Sequence, residues 1–505
     1  MLVVGAGPTG LMAANQLNRF GVDFIIVDKK SGPTIESRAI AVTARSLEIY
    51  QQMGLDQEAI QRGKMIQSFN LYSQGKRKVE VKVGEIGKGL SEFSYMLALE
   101  QSRNEELLAS NLTRKGKRVH WNVEFVELKE YKDSILATVK QDGMVSEIKA
   151  QYLIACDGAN SAVRQQLNFS FKGGTYSHKF FLADTIMKWD QSYDRLVIAP
   201  GDKNFCAFLP LHQEKGYRVI GSFPKKYFQR EDLSFGDIED VIKNTIGVKV
   251  EFETVNWFAT YKLHHRGVDH FAEGRVFLAG DSAHIHSPAG GQGMNTGLQD
   301  SYNLCWKLAI VLNGKARPTL LDTYNEERLP FARWLLRFTD QLFNAITNDS
   351  WILGLLRKYV VFNLVGFIPT LSWVRPRIFK VLSQIWYSYR GRSLTLHASK
   401  QKLKFKSGDR LPYLGKGNIY PQLTATSFHL LHVHSDPLMP ALLKSVSQLF
   451  PFPIKTVECQ LTTSWANLGV ISELFILVRP DNYIAFMFDK WDEKLIKDYL
   501  NRYFV

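Results

Sequence analysis

The sequence predicts an α/β fold. It should have a Rossmann-like domain, an interleaved mixed-sheet domain, and a smaller α/β unit toward the C-terminal end. Three stretches carry that prediction: VVGAGPTG near the start, YLIACDGANSAVRQQL at 152–167, and RVFLAGDSAHIHSPAGGQGMNTG at 275–297. In each, a short apolar strand runs into a glycine-bearing turn and then a helix.

Composition sets the outer bounds. A chain of 505 residues predicts two or three domains, and 45% hydrophobic residues can fill their cores. The cysteines, Cys156, Cys206, Cys305 and Cys459, are scattered and form no CxxC pair. Neither a disulfide framework nor a cysteine zinc site is expected, and a reducing cytoplasm fits best. Met1–Val4 precede a glycine turn without a charged leader, so no signal peptide is predicted, and the first strand reads as clipped at its start.

The net charge of +14 is concentrated. Between Trp351 and Tyr420 stand thirteen Lys or Arg and one acid, Asp409. Nucleic acid is not expected as a partner, because no reading module accompanies that charge.

The first stretch supplies Gly5, Gly7 and Gly10 in a GxGxxG pattern. Leu11, Ala14, Leu17 and Phe20 share one face of the following helix, and Gly21 is placed to cap it. A second strand, Phe24–Val27, ends at Asp28, about where a ribose-binding acid is expected. Gly5 would make the tight turn, Gly7 would let the backbone approach a pyrophosphate, and Gly10 would let helix and strand pack closely. The pyrophosphate would sit where free N–H groups and the helix dipole favour an anion.

In the second stretch a strand leads to Asp157 and Gly158, and a helix carries Arg164. Asp157 is also well placed simply to cap that helix. In the third, the strand ends at Gly280 and Asp281, and a glycine-rich loop leads into a helix from about Met294. Leu298, Leu304, Leu308 and Leu312 should face the core, and Gly314 should end the helix.

Together and in this order the three motifs resemble the class A flavoprotein monooxygenases, such as p-hydroxybenzoate hydroxylase and phenol hydroxylase. The resemblance covers about 1–340 by motif and the remainder more weakly. It implies FAD, with NADH or NADPH and O2 as co-substrates and a small aromatic substrate, phenolic or polycyclic. In the family, a flavin C4a-hydroperoxide transfers one oxygen atom to the ring. The resemblance also implies a cofactor site at Gly5, Gly7, Pro8, Thr9, Gly10, Asp28 and Lys29. Arg38 and Gln101 follow, then Asp157, Gly280, Asp281, Pro288, Gly291, Gly293, Met294 and Asn295. Asp281 would hold the ribityl chain, and 288–295 would wrap the ring edge. No second GxGxxG exists for the nicotinamide cofactor, which in this family has no Rossmann domain of its own. One departure stands out: where phenol hydroxylase relatives carry an aspartate, alignment on "SLE" puts Ile40.

On this reading 1–75, 98–168 and 265–334 build the FAD-binding domain. Residues 76–97 and 169–264 build the substrate domain, 335–394 a helical linker, and 395–505 a thioredoxin-like domain. The stretches KFFLADTIMKW, FCAFLPL, YRVIGSF and VNWFATYKL read as strands walling the substrate cavity. The group that activates the substrate is not identified; Tyr72, His178, Arg218 and Tyr261 are candidates, each reading more readily as packing or surface than as a base. No metal is expected. A metal needs three ligands, and none joins His284 and His286; His264–His265 and His432–His434 read as surface or strand residues.

Without CxxC the C-terminal domain cannot perform dithiol redox chemistry, so it should serve stability or a homodimer. The basic apolar segment is interrupted by Arg357, Lys358 and Pro369, which disfavours a membrane span. It reads as helices packed on the FAD domain or, more sharply, as peripheral docking of 351–420 on a membrane. Two rival functions are an FAD-dependent dehydrogenase or reductase without oxygen insertion and a non-catalytic FAD-binding protein. A flavin halogenase is disfavoured, because its WxWxIP signature is absent.

Overall fold

The computed structural model describes residues 1–505 apart from 36–38, 202–203, 288–290, 348–372, 424–425, 436–445 and 447, and apart from the side chains of 177, 342–347 and 416.

The nucleotide-domain sheet has six strands. Leu2–Val4 lies between Ile25–Asp28 and Leu153–Ala155, and Val276–Leu278 pairs beyond the latter, all parallel. His120–Trp121 closes one edge in parallel, and Ala272–Glu273 closes the other in antiparallel fashion. The inner strands read LVV, LIA and VFL and are buried throughout. Continuous apolar runs of this kind belong to parallel strands covered on both faces. The helix Pro8–Arg19 covers one face, burying Leu11, Ala14 and Leu17 as predicted, and Gly21 turns left-handed (φ +69°) just beyond it. Gln101–Arg114 packs beside that helix.

The predicted helix near Met294 is Gly293–Leu312, followed by Gly314 in the left-handed region. Its burial differs from the one-sided pattern expected: every residue from Asn295 to Ile310 is buried. The cause is cover from two sides: Glu327 and Arg328 of the helix Asp322–Thr347 take its polar residues, and the C-terminal domain takes the rest. Trp306 and Ile310 share a cluster with Phe428, Leu430, Phe475 and Phe486.

The second large layer is an eight-stranded sheet. Its spine is a pair of 19-residue antiparallel strands, Phe171–Trp189 and Val250–Val268. Gly216–Ser222, Phe205–Pro210 and Arg195–Pro200 follow in order, so the four stretches expected as strands all fall in this sheet. Ser68–Ser73 and Lys76–Lys82 complete it; Ser68–Ser73 runs parallel to Arg195–Pro200. That strand therefore sits on the far side of the boundary expected at residue 75. The helix Gly236–Ile246 lays Ile238, Ile242 and Ile246 against Trp189, Phe208 and Tyr217.

In the C-terminal domain, Phe428–His434 lies one strand in from the edge of a five-stranded sheet. It pairs in parallel with Ile454–Gln460 and antiparallel with Leu474–Val478, which pairs with Ile484–Phe488. Glu493–Leu500 is the terminal helix. Most of the helix expected at 440–450 lies outside the described residues, as does 351–372 of the basic segment. The described part of that segment packs: Phe379 of the helix Arg375–Leu382 lies on Gly87, and Leu411, Leu414 and Tyr420 join the C-terminal core. Among the described residues no helix is long and apolar enough to cross a membrane.

Candidate active site

The three motif strands are neighbours and point the same way, so their turns emerge side by side at the carboxyl end of one sheet. That edge is where open α/β sheets bind ligands. The glycines make the convergence possible. Gly5 adopts φ +99°, and a Cβ there would lie 2.3 Å from the Cys156 carbonyl oxygen, in the second motif. A Cβ on Gly10 would lie 1.8 Å from the Gly5 oxygen. Thr9 joins the first motif to the third: its Oγ1 would lie 2.5 Å from a Cβ on Gly280 and 2.2 Å from one on Gly297. Ser301 Oγ also donates to the Thr9 carbonyl at 2.8 Å.

The second and third motifs are tied in turn. Ser282 Oγ donates to the Ala155 carbonyl at 2.6 Å, and the buried Arg164 donates to Ser282 O at 2.9 Å and Ala159 O at 2.7 Å. Asp157 Oδ2 accepts the Val163 N–H at 3.2 Å, and Ser161 caps the same helix, so the capping role foreseen for Asp157 is real and shared. Burial pushes the Asp157 carboxyl above its ordinary range.

Asp28 ends its strand as expected. It clamps the turn, accepting the Ala6 N–H at 2.5 Å on Oδ2 and the Lys30 N–H at 2.8 Å on Oδ1. Lys29 is exposed, while Gly7, Pro8 and Thr9 are half-buried. Gln101 opens its helix and donates to Glu105 Oε1 at 2.9 Å; Glu105, fully buried, also accepts the Thr34 N–H at 2.7 Å. Asp281 is exposed at the rim. Arg38 and Pro288 lie outside the described residues.

The start of Gly293–Leu312 has no side-chain cap and no acid in its first turn. Asn295 there is a brace. Its Oδ1 accepts from Thr43 N at 3.0 Å and Ser46 Oγ at 2.7 Å, and its Nδ2 donates to Ala41 O at 2.8 Å and Gly291 O at 2.9 Å. Gly291 is left-handed (φ +64°) and packs on Ala41, and Met294 Sδ accepts from Asn104 Nδ2 at 3.4 Å. Beneath the loop lies a buried chain that the sequence did not reveal. His284 Nε2 is 2.7 Å from Asp300 Oδ2, Arg328 Nε donates to Asp300 Oδ1 at 2.7 Å, and Gly280 N donates to Asp300 Oδ2 at 3.1 Å. Burial alone would raise Asp300; the charges of Arg328 and His284 outweigh it and hold the carboxyl low. His286 stacks on His284 at 4.9 Å, and burial drives its pKa well below the usual range.

The four candidate substrate-activating residues scatter. Tyr72 donates to Gln191 at 2.6 Å within the cluster beneath the Gly236–Ile246 helix. His178 packs against Phe228 at 5.5 Å, and Tyr261 against Phe180 at 5.9 Å. Arg218 contacts the loop before Ile40. It forms a bidentate pair with Asp184, 2.7 Å on each arm, and reaches the Ala39 carbonyl at 3.4 Å. Near Thr43 the apolar side chains of Phe69, Ile86, Tyr95, Met96 and Phe379 line a gap of only about 10 Å³, room for one water.

These residues fit FAD on their own geometry. Nothing lies within 4 Å of where a Gly7 Cβ would stand, which leaves the backbone open at an uncapped, acid-free helix start. Acceptor carboxylates flank that opening at Asp28 and Asp281.

Comparisons with known proteins agree. The family model described as "FAD binding domain" matches residues 1–339. The chain is similar to a 6-methylpretetramide 4-monooxygenase from Streptomyces rimosus, 31% identical over 430 residues, spanning 83% of this chain and 73% of the relative. It is 28% identical over 516 residues to a flavin-dependent monooxygenase from Mycobacteroides abscessus, spanning 99% of both. Among solved structures, the anhydrotetracycline hydroxylase OxyS from Streptomyces rimosus superposes with a TM-score of 0.79 at 26% identity, over 100% of this chain and 98% of that one. The flavin-dependent monooxygenase PieE shares the fold, with a TM-score of 0.81 at 21% identity over 99% and 98%. The chain belongs to the FAD-binding class A flavin monooxygenases and is an FAD-dependent monooxygenase.

Proposed function

We propose that the protein uses NADH or NADPH and O2 to hydroxylate the ring of a phenolic or polycyclic aromatic substrate. The observation that carries this reading is the convergence of three glycine-bearing turns at one sheet edge. The relatives support the substrate class, since two of them are a 6-methylpretetramide monooxygenase and an anhydrotetracycline hydroxylase.

Bound FAD supplies the electron transfer and oxygen activation. The chain's residues position and tune it. The N–H groups of Gly7, Thr9 and Gly10 at the helix start receive the pyrophosphate, while Gly5, its own N–H held by the Val27 carbonyl, makes the turn and Pro8 opens the helix. Asp28 retains acceptor capacity for ribose hydroxyls, Asp281 accepts from the ribityl chain, and Asp157 serves the second turn. The N–H groups at Gly293–Asn295 favour negative charge on a ring placed before them. Asn295 keeps that helix start in register with Ala41 and Thr43. The order of strands and helices in 395–505 supports a thioredoxin-like reading of that domain.

The test is a screen of phenols and polycyclic aromatics for accelerated NAD(P)H consumption, followed by mass spectrometry. The reading expects a product heavier by one oxygen atom. Nicotinamide oxidation that converts the aromatic without adding oxygen would favour a dehydrogenase or reductase.

A further inference from the structure

The C-terminal sheet holds a cluster that the monooxygenase reaction does not use. His432 and His434 alternate along Phe428–His434, so both side chains leave the same face. They are only 1% and 6% exposed. The neighbouring strand supplies a carboxylate: Glu458 stands directly across from His432 in the parallel register. Glu458 Oε2 lies 3.0 Å from His432 Nδ1 and 2.8 Å from His434 Nε2. On the other side, Glu473 Oε1 lies 2.8 Å from His432 Nε2.

Proton counting makes this arrangement informative. A neutral imidazole has one N–H and one lone pair. If Glu473 takes the Nε2–H of His432, the Nδ1 lone pair faces the Glu458 oxygen. His434 turns a second ring nitrogen to that same oxygen. The approach misses hydrogen-bond geometry, and among the described residues neither nitrogen of His434 has a hydrogen-bond partner. Three electron-rich atoms thus lie within 4.8 Å of one another, largely shielded from water. They repel unless a proton or a metal ion sits among them.

We propose that His432, His434 and Glu458 bind a divalent transition-metal ion, with Zn2+ the best match. Two imidazoles and one carboxylate are a zinc donor set, and the half-exposed Glu458 leaves a fourth position open to water. Ligand distances of about 2.0–2.2 Å require only small side-chain rotations here. Glu473 is the positioning residue: its hydrogen bond sets the His432 tautomer and orients the ring, as carboxylates behind zinc-bound histidines do. The ion would clip the edge strand Ile454–Gln460 to Phe428–His434. The sequence showed only the two histidines, because the third ligand arrives through strand pairing 24 residues later.

The experiment uses the FAD-loaded protein stripped of metal with a chelator and titrated with Zn2+ by calorimetry. Bound metal is then quantified after gel filtration. The proposal expects one equivalent bound, a raised Tm, and no comparable heat from Mg2+ or Ca2+, which prefer all-oxygen sites. His434→Ala and Glu458→Gln should each abolish the tight equivalent while keeping flavin content and circular dichroism. Glu458→Gln guards against misfolding of the buried variant, because its side chain stands at the surface. Glu473→Gln should weaken binding by roughly 10- to 100-fold without removing it. Absence of a tight equivalent in the wild-type protein would overturn the proposal and leave the cluster a proton-sharing network. Equal binding by wild type, His434→Ala and Glu458→Gln would overturn it too, by placing the metal elsewhere.

Discussion

Arg479 and Glu327 form a bidentate ion pair that is buried from solvent and joins two domains. Glu327 lies on the helix Asp322–Thr347, and Arg479 follows the strand Leu474–Val478 of the C-terminal sheet. Lys307 Nζ donates to Glu327 Oε2 at 2.8 Å, and Asp481 meets Arg479 from the other side. Removing the carboxylate leaves two buried cations facing one aspartate. Glu327→Ala should therefore cost about 3–5 kcal/mol of stability. Chemical denaturation of wild type and variant at neutral pH would show it, and a loss below about 1 kcal/mol would contradict the pair's role as the domain link.

The same residue shapes acid stability. Burial alone would raise the Glu327 carboxyl, but Arg479 and Lys307 hold it at about 2, against an ordinary 4.5. A depressed folded pKa contributes stability that is fully present above 4.5 and is lost as pH falls toward 2. Glu327→Gln should flatten the fall in Tm across that window relative to wild type. Parallel curves for the two proteins would refute the assignment.

Two glycines of the first turn should separate folding from cofactor binding. Gly10→Ala drives a methyl into the Gly5 carbonyl, backbone against backbone, and should cost about 3 kcal/mol or more. Gly7→Ala meets nothing within 4 Å, so the fold should lose about 1 kcal/mol or less. Its methyl would still project toward the pyrophosphate, so FAD affinity should drop. Apoprotein melting and flavin titration of both variants check this, and tight FAD binding by Gly7→Ala would count against the site.

Asp281→Ala should weaken FAD binding by about 10- to 100-fold, the worth of hydrogen bonds to a charged acceptor. The residue is exposed, so the apoprotein should stay folded. Normal flavin content after purification of this variant would remove Asp281 from the cofactor site.

The turns were legible because each is written contiguously, as a strand, a glycine and an acid. What holds them together was not. Asn295 braces Thr43 and Ser46 across about 250 residues of chain, and Arg164 reaches Ser282 across 118. No local pattern announces such pairs. The Gly293–Leu312 helix misled in a physical way: its leucines mark one apolar face, while its polar face is buried by specific partners such as Arg328 on Asp300. Ser68–Ser73 lies before the boundary expected at residue 75, yet its alternating burial serves the large sheet. Arg218 stood out in the sequence only as a charge in a strand, and its pairing with Asp184 required the register of Phe171–Trp189 against Gly216–Ser222.

The central claim is that this site inserts an atom of molecular oxygen into an aromatic ring at the expense of NAD(P)H. The direct measurement is turnover of FAD-loaded protein with the best substrate from the screen under isotopically labelled O2, with the product analysed by mass spectrometry. The account predicts one labelled oxygen atom per product and about one nicotinamide oxidised per hydroxylation. A product carrying no label, or one whose oxygen comes from labelled water, would contradict it.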